Sequence, residues 1–382
     1  MIVHVLAAVP LLIWIYLLWA HGGFWRVSAS LAAPAPLPPT PARVVAVIPA
    51  RDEADVIGDT VRSLLRQQSV SSLHVIVVDD ASSDGTAAAA AAAAHSAGAD
   101  DRLTIVSGQP LPAGWTGKLW AMSQGVTAAA AFEPDYLLLT DADIHHDSGN
   151  VASLLAIAQS QSSDLVSFMV ELSVATLAER ALIPAFVFFF FLLYPPRATA
   201  SPRARTAGAA GGCMLVRPEA LERIGGLQSI RSELIDDCAL ARAIKRTGGA
   251  VRLALTRTAH STRLYGSFGD VGRMISRSAF YQLKHSGIVL AGTILGLGVV
   301  YLLPPLLLLS SDPVCRVLGA AAWLLMSACY VPMVRFYRRS LFWSLGLPLV
   351  ATFYAGATLH SALQYATRRG GSWKGRVQDV RH

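Results

Sequence analysis

Three stretches of this chain, residues 3–20, 287–309 and 314–334, are apolar runs of membrane-spanning length. A helix needs about 20 apolar residues to cross a hydrocarbon layer about 30 Å thick. In lipid such runs must be helical, because nothing else there satisfies backbone N–H and C=O groups. They commit both ends of the chain and leave the middle, from Arg43 onward, to fold separately. Composition agrees: 53% of the residues are hydrophobic and 15% are charged, against about 25% charged in soluble domains. The net charge is +7. Beside long apolar segments that excess suits anionic headgroups and phosphorylated ligands, not nucleic acid. No basic helix interleaved with aromatics and no zinc-finger spacing occurs. Cys213, Cys238, Cys315 and Cys329 are scattered and form no CxxC pair. They read as buried small apolar residues, with no disulfide frame or zinc site implied.

Residues 1–25 are expected to be a retained anchor, since signal-peptide apolar cores are shorter and no small-residue cleavage site follows. Residues 26–42, with "AAPAPLPPTPA", read as a Pro/Ala linker. Residues 281–368 are expected to hold the C-terminal transmembrane helices, and 369–382 a basic tail. The Phe-rich insert 181–196, "IPAFVFFFFLLYPP" at its centre, is short for a span and bounded by prolines. An interfacial helix is the favoured reading, a buried core helix the other. Lys/Arg placement puts the Arg-rich middle region in the cytoplasm and the N-terminus outside. A full crossing by 341–366 would then place "RRGGSWKGRVQDVR" outside, so either the rule fails here or, the favoured reading, that segment turns back or breaks near Pro348.

The middle region changes pattern. "RVVAVIPA", "LHVIVVDD", "LTIVSG" and "DYLLLTD" are short apolar runs separated by helical stretches. Alternating strands and helices, with near-continuous apolar strands, predict an α/β fold whose mainly parallel sheet is covered on both faces. The alanine run 87–94 reads as one of the crossover helices.

Ligands in such folds bind beyond the carboxyl ends of the strands. Acidic residues gather at those positions: Asp52 and Glu53, then Asp79, Asp80 and Asp84, then Asp141 and Asp143, and later Asp236 and Asp237. Converging carboxylates repel, and one protonates unless a cation joins them. A hard divalent ion, Mg²⁺ or Mn²⁺, resolves this and shares its shell with substrate phosphates. Asp141 and Asp143 are therefore candidate metal ligands. His145 and His146 read either as ligands or as solvated loop residues.

"VAVIPARDEADVIGDTVRSLLRQ", "VIVVDDASSDGT", "GKLWAMSQG", "LLLTDAD" and "IDDCALARAI" occur in the order found in family 2 glycosyltransferases. The chain resembles that family over about residues 43–280, and its flanks look most like the membrane-bound hopanoid-biosynthesis-associated members. The resemblance implies a GT-A fold, Rossmann-like with a mainly parallel sheet. It implies an inverting, metal-dependent transfer of a sugar from a nucleotide donor, a UDP-sugar favoured, to a membrane lipid. It also implies a multi-pass protein of the bacterial inner membrane with a cytoplasmic catalytic domain. Pro49, Ala50, Arg51 and Glu53 match the nucleoside loop. Asp79 and Asp80 match the pair gripping base and ribose, and Lys118 a lysine near the nucleotide. Asp141 and Asp143 match the metal and diphosphate motif. Asp237 matches the catalytic base; the family often has Glu-Asp where this chain has Asp236-Asp237. Arg277 either neutralises the leaving diphosphate or, with Arg273, lines a helix facing headgroups. A membrane-bound nucleotide-sugar-binding accessory protein without turnover is the rival reading.

Overall fold

The computed structural model of the chain describes residues 2–27, 31, 40–68, 70–367, 370, 372–373 and 376–377. Most of the expected Pro/Ala linker 26–42 and of the basic tail 369–382 lies outside the described residues.

Eight strands form one mixed sheet in the order β3-β2-β1-β4-β7-β6-β8-β5. They are β1 (Arg43–Ala50), β2 (Ser72–Asp79), β3 (Leu103–Ser107), β4 (Tyr136–Thr140), β5 (Ile144–His146), β6 (Leu165–Glu171), β7 (Cys213–Val216) and β8 (Val251–Ser261). The first four neighbours, β3 to β4, pair in parallel, as the apolar runs predict. Strand β7 runs antiparallel between β4 and β6. The order reverses between β1 and β4, so a crevice opens beyond their carboxyl ends. Strand β5 turns straight back from β4 and pairs antiparallel with the end of β8. That pairing carries residues 262–265 over the same crevice.

The principal helices are α1 (Ile2–Trp19), α2 (Ala54–Leu65), α3 (Thr86–Ser96), α4 (Gly117–Ala129), α5 (Asn150–Ser160), α6 (Leu177–Leu193), α7 (Asp236–Arg246), α8 (Phe268–Ser276), α9 (Gly287–Leu297), α10 (Pro313–Phe336) and α11 (Leu347–Ala366). The alanine run is α3, as expected. Helices α2, α3 and α5 cover one face of the sheet, while α4 and α7 cover the other. Helix α4 comes close because residue 125 is glycine. A Cβ there would lie 2.4 Å from Val47 Cγ1 and 2.9 Å from Val78 Cγ2.

Among the described residues, five segments are long and apolar enough to cross a membrane by length and composition: Ile2–Trp19, Leu177–Ala200, Gly287–Leu307, Pro313–Phe336 and Leu341–Ala366. The segment 341–366 breaks and returns near Pro348, as expected: Phe336 O just before it accepts from Arg257 of β8, Leu345 O accepts from Trp323 inside α10, and near its far end Ser361 Oγ accepts from the Phe280 N–H, back beside the sheet domain. A short 3-10 segment, Leu341–Gly346, leads into α11, which runs unbroken for 20 residues, or about 30 Å. Pro348 occupies its first turn, where the missing N–H has no partner to lose. The packing of the Phe-rich insert supports its other reading, a buried core helix. Helix α6 is a joint: Phe188 and Phe191 are buried in a cluster that joins Met169, Leu253 and Leu255 of the sheet to Tyr330, Met333 and Tyr354 of the C-terminal helices. Phe189 and Phe190 are only partly buried.

Replacing Gly125 with alanine should destabilise the protein by about 1–3 kcal/mol, because the methyl group meets packed valines of two strands. Denaturant unfolding of the purified protein in detergent measures this. Wild-type stability would mean that α4 stands farther from the sheet.

Candidate active site

The loops after β1 and β2 fix each other. The Asp80 N–H donates to Ala50 O at 2.8 Å, and Arg51 donates to Asp80 O at 2.5 Å. Ser82 Oγ accepts from the Asp52 N–H, and Asp52 Oδ1 accepts from the Ser83 N–H. Asp84 has a structural part: its carboxylate accepts from the Ala54 and Thr86 N–H groups, and the Thr86 hydroxyl bond draws its pKa below the usual range. This lacing holds Pro49 and Glu53 at the rim of the crevice.

A cavity of about 540 Å³ opens there, lined by Pro49, Glu53, Lys118, Asp141, Asp143 and Asp236 on the sheet side. Its other wall comes from Arg263 and Tyr265, from Arg273 and Arg277 around α8, and from Gln364 near the end of α11. Six of the residues singled out from sequence thus share one cavity with Arg277. Ala50, Arg51, Asp79, Asp80 and Asp237 do not line it. Asp80 is buried and faces Arg51 at 3.7 Å, and Asp79 Oδ1 accepts from the Ser82 N–H. Asp237 Oδ2 accepts from the Gly211 N–H at 2.8 Å and Oδ1 from the Cys238 N–H at 2.6 Å. Within that pair the carboxylate presented to the cavity is therefore Asp236, although the resemblance points to Asp237.

Two cationic side chains sit among the carboxylates. Lys118, in the first turn of α4, reaches Asp141 Oδ1 at 2.9 Å and Asp236 Oδ2 at 3.2 Å. Arg263 donates through Nε to Asp143 at 2.6 Å and through a terminal nitrogen to Glu53 at 2.7 Å. Thr262 positions it, because its N–H donates to Asp143 O at 2.8 Å. Burial opposes charge on both cations, but the carboxylates override it and hold both pKa values above their usual range. Even so, negative charge is left over. Burial raises the Asp141 pKa and Asp143 adds to the shift, with Lys118 opposing. Burial and then Asp236 push Asp237 up to about 6.

Arg263, Tyr265, Gln364 and Glu233, which also lines the cavity, went unnoticed in the sequence. Arg263 alone had a signal there: four acidic clusters meeting at one sheet edge need more positive charge than Lys118 supplies, and an arginine follows the last long strand.

A divalent ion fits this seat. Asp141 and Asp143 each direct one oxygen to a cationic side chain, and the other oxygen of each has no hydrogen bond among the described residues. Two carboxylate oxygens plus water and phosphate are an ordinary set for Mg²⁺ or Mn²⁺. The histidines serve the scaffold. His145 pairs with Asp59 at 2.8 Å. His146 is buried, and burial lowers its pKa to about 3. It lies in a polar string: Thr258 donates to Asn150 Oδ1, Asn150 Nδ2 to His146 Nδ1, and Thr140 Oγ1 contacts His146 Nε2 and donates to Gly212 O.

A family model described as Glycosyltransferase like family 2 matches residues 41–269. No curated protein matches the chain. Among solved structures, a mannosyltransferase from Pyrobaculum calidifontis in complex with GDP-Man and Mn²⁺ is 18% identical. That match covers 95% of this chain and 98% of that one, with a TM-score of 0.53. At that identity the likeness speaks for the fold alone. A glucosyl-3-phosphoglycerate synthase from Mycobacterium tuberculosis is 17% identical over 70% of this chain and 85% of that one, with a TM-score of 0.39.

In an Arg263→Gln variant, Asp143 and Glu53 lose their shared cation. Its melting temperature should fall without divalent ions, and Mn²⁺ should restore more of it than it adds to the wild type. Thermal scans with and without Mn²⁺ check this; an unchanged melting temperature would show that Arg263 compensates no charge.

Proposed function

The chain belongs to the family 2-like glycosyltransferases, and from that premise we propose that it transfers a sugar, with inversion, from a nucleotide-diphosphate donor to a hydroxyl on a membrane lipid. The observation that carries this reading is the cavity's two unlike walls. One is made of carboxylates and cations at strand ends, the other of α8 and the last turn of α11, an apolar helix of spanning length. A soluble donor meets the first wall, and a lipid's polar end reaches the second. We read the domains accordingly: an anchor at 1–25, a catalytic domain at 43–280 and a lipid-embedded bundle at 281–368. This reading places the protein in the bacterial inner membrane with the catalytic domain cytoplasmic. A hopanoid acceptor and a UDP-sugar donor are the narrower readings, supported by the sequence resemblance.

Pro49 and Glu53 bound the donor's side of the cavity, with Asp79, Asp80 and Arg51 shaping the loop behind. Asp141 and Asp143 would hold a divalent ion, which supplies positive charge to the departing diphosphate. Lys118 and Arg263 hold the carboxylates in place and lend positive charge to the same region, and Arg277 faces it from α8. Asp236 accepts the proton of the attacking hydroxyl. Asp237 stands behind it as a positioning residue, anchored on Gly211 and Cys238. Most of the rate would come from holding hydroxyl and anomeric carbon in line.

The purified protein in lipid bilayers, given GDP- and UDP-sugars with membrane lipid, should transfer sugar only when Mg²⁺ or Mn²⁺ is present. Donor binding with no turnover on any lipid would favour the accessory-protein reading. Asp236→Asn should lower kcat by about 10²–10⁴-fold, and Asp237→Asn by less. The reverse order would move the base to Asp237. Because Asp237 titrates near 6 beside Asp236, the pair takes up a proton as pH falls through about 6. Protonation of Asp237 removes the negative charge behind Asp236 that favours uptake of the hydroxyl's proton, so kcat/KM should drop on the acid side of that value.

A further inference from the structure

The end of the bundle where α1 and α10 begin holds a group of a different kind. Among the described residues, His4, Asp312 and Cys315 are the set of three metal-ligating side chains whose ligand atoms all lie within 4.8 Å of one another. His4 is near the start of α1, Asp312 is the N-cap of α10, and Cys315 lies in its first turn. His4 Nε2 is 2.5 Å from Asp312 Oδ2, while Oδ1 accepts from the Val314 N–H at 2.8 Å. Asp312 is the sole acidic residue between Asp270 and Asp379, and none precedes Asp52. The one carboxylate of the apolar regions therefore meets a histidine from a helix 308 residues away in sequence, with a thiol beside them.

A capped helix and an ion pair account for Asp312 and His4. They do not account for a buried thiol within ligand distance of both. We propose that His4, Asp312 and Cys315 bind a borderline divalent ion of the Zn²⁺ class, which clamps α1 to α10. Imidazole, carboxylate and thiolate are the three side-chain ligands zinc takes, with water as the fourth in an open site. The Asp-x-x-Cys spacing places both α10 ligands at one helix start, and packing against α1 brings the imidazole. Binding requires the thiol to give up its proton to water and the imidazole to be neutral, so metal uptake releases protons. The other seat, at Asp141 and Asp143, offers oxygen only and suits hard ions. The two sites therefore take different metals. They are also well separated: Phe336, at the other end of α10, accepts from Arg257 of β8, and the 21 residues of helix beyond Cys315, up to Phe336, span about 32 Å.

The test uses the full chain in detergent, stripped with a chelator and titrated with Co²⁺. The wild type should develop a sulfur-to-cobalt charge-transfer band that Zn²⁺ abolishes. Cys315→Ser should lack the band, and His4→Gln should bind Co²⁺ about tenfold or more weakly. Oxygen-only seats give no sulfur band, so the active site does not contribute. No band at saturating Co²⁺, or the same band in Cys315→Ser, overturns the proposal. If Cys315→Ser does not fold, His4→Gln decides alone, and an unchanged Co²⁺ affinity refutes the site. Neither variant touches the sugar-transfer machinery, so loss of this metal and loss of transferase activity are separable results.

Discussion

Mutual repulsion among carboxylates governs the catalytic end of this molecule. Glu53, Asp141, Asp143 and Asp236 come from three regions of the chain and face one partly buried cavity. Burial strengthens every repulsion among them. Lys118 and Arg263 each bridge two carboxylates and remove most of that cost, which fixes where the loops after β1, β4 and β8 meet. The compensation is incomplete, because Lys118 and Arg263 bring two positive charges to four carboxylates. The remaining negative charge is what a divalent ion would meet.

The parallel half of the sheet was legible because its strands are buried on both faces and therefore read as unbroken apolar runs. The acidic clusters at strand ends were legible for the opposite reason: charge at the margin of an apolar run stands out. Strand β7, antiparallel in the middle of the sheet, left little trace, because "CMLV" is short and looks like any buried segment. Which member of Asp236-Asp237 faces the cavity was not legible either. That depends on the Gly211 N–H, 26 residues away, taking up the second carboxylate. The Phe-rich stretch misled because four phenylalanines show only that a helix is apolar. They do not tell lipid from protein, and here Phe188 packs on Phe24 and Tyr330 while Phe189 meets Tyr301 and Tyr354.

The two halves of the protein are joined by polar contacts as well as apolar ones. Glu179, fully buried, caps α6 and accepts from the Tyr265 N–H at 2.6 Å, while the Thr176 hydroxyl donates to Tyr265 O at 2.8 Å. The segment carrying Arg263 is thus tied to β5 at one end and to the Phe-rich helix at the other. Tyr354 of α11 donates to Leu182 O farther along the same helix. A shift of α6 relative to the sheet would be felt at Tyr265, two residues from the cation that bridges Asp143 and Glu53.

The polar string beneath the Asp143 loop has a direction. Asn150 Nδ2 can only donate, so His146 Nδ1 is the acceptor and its proton sits on Nε2, aimed at Thr140. Thr140 passes its own hydrogen to Gly212 O, and Thr258 gives its hydrogen to Asn150. Every dipole in the series therefore points the same way, and no single member can reverse without leaving a buried lone pair facing another. The imidazole behaves as a rigid spacer locked in one tautomer, which keeps the strand-end turn above it in a single shape until the pH outside falls to about 3.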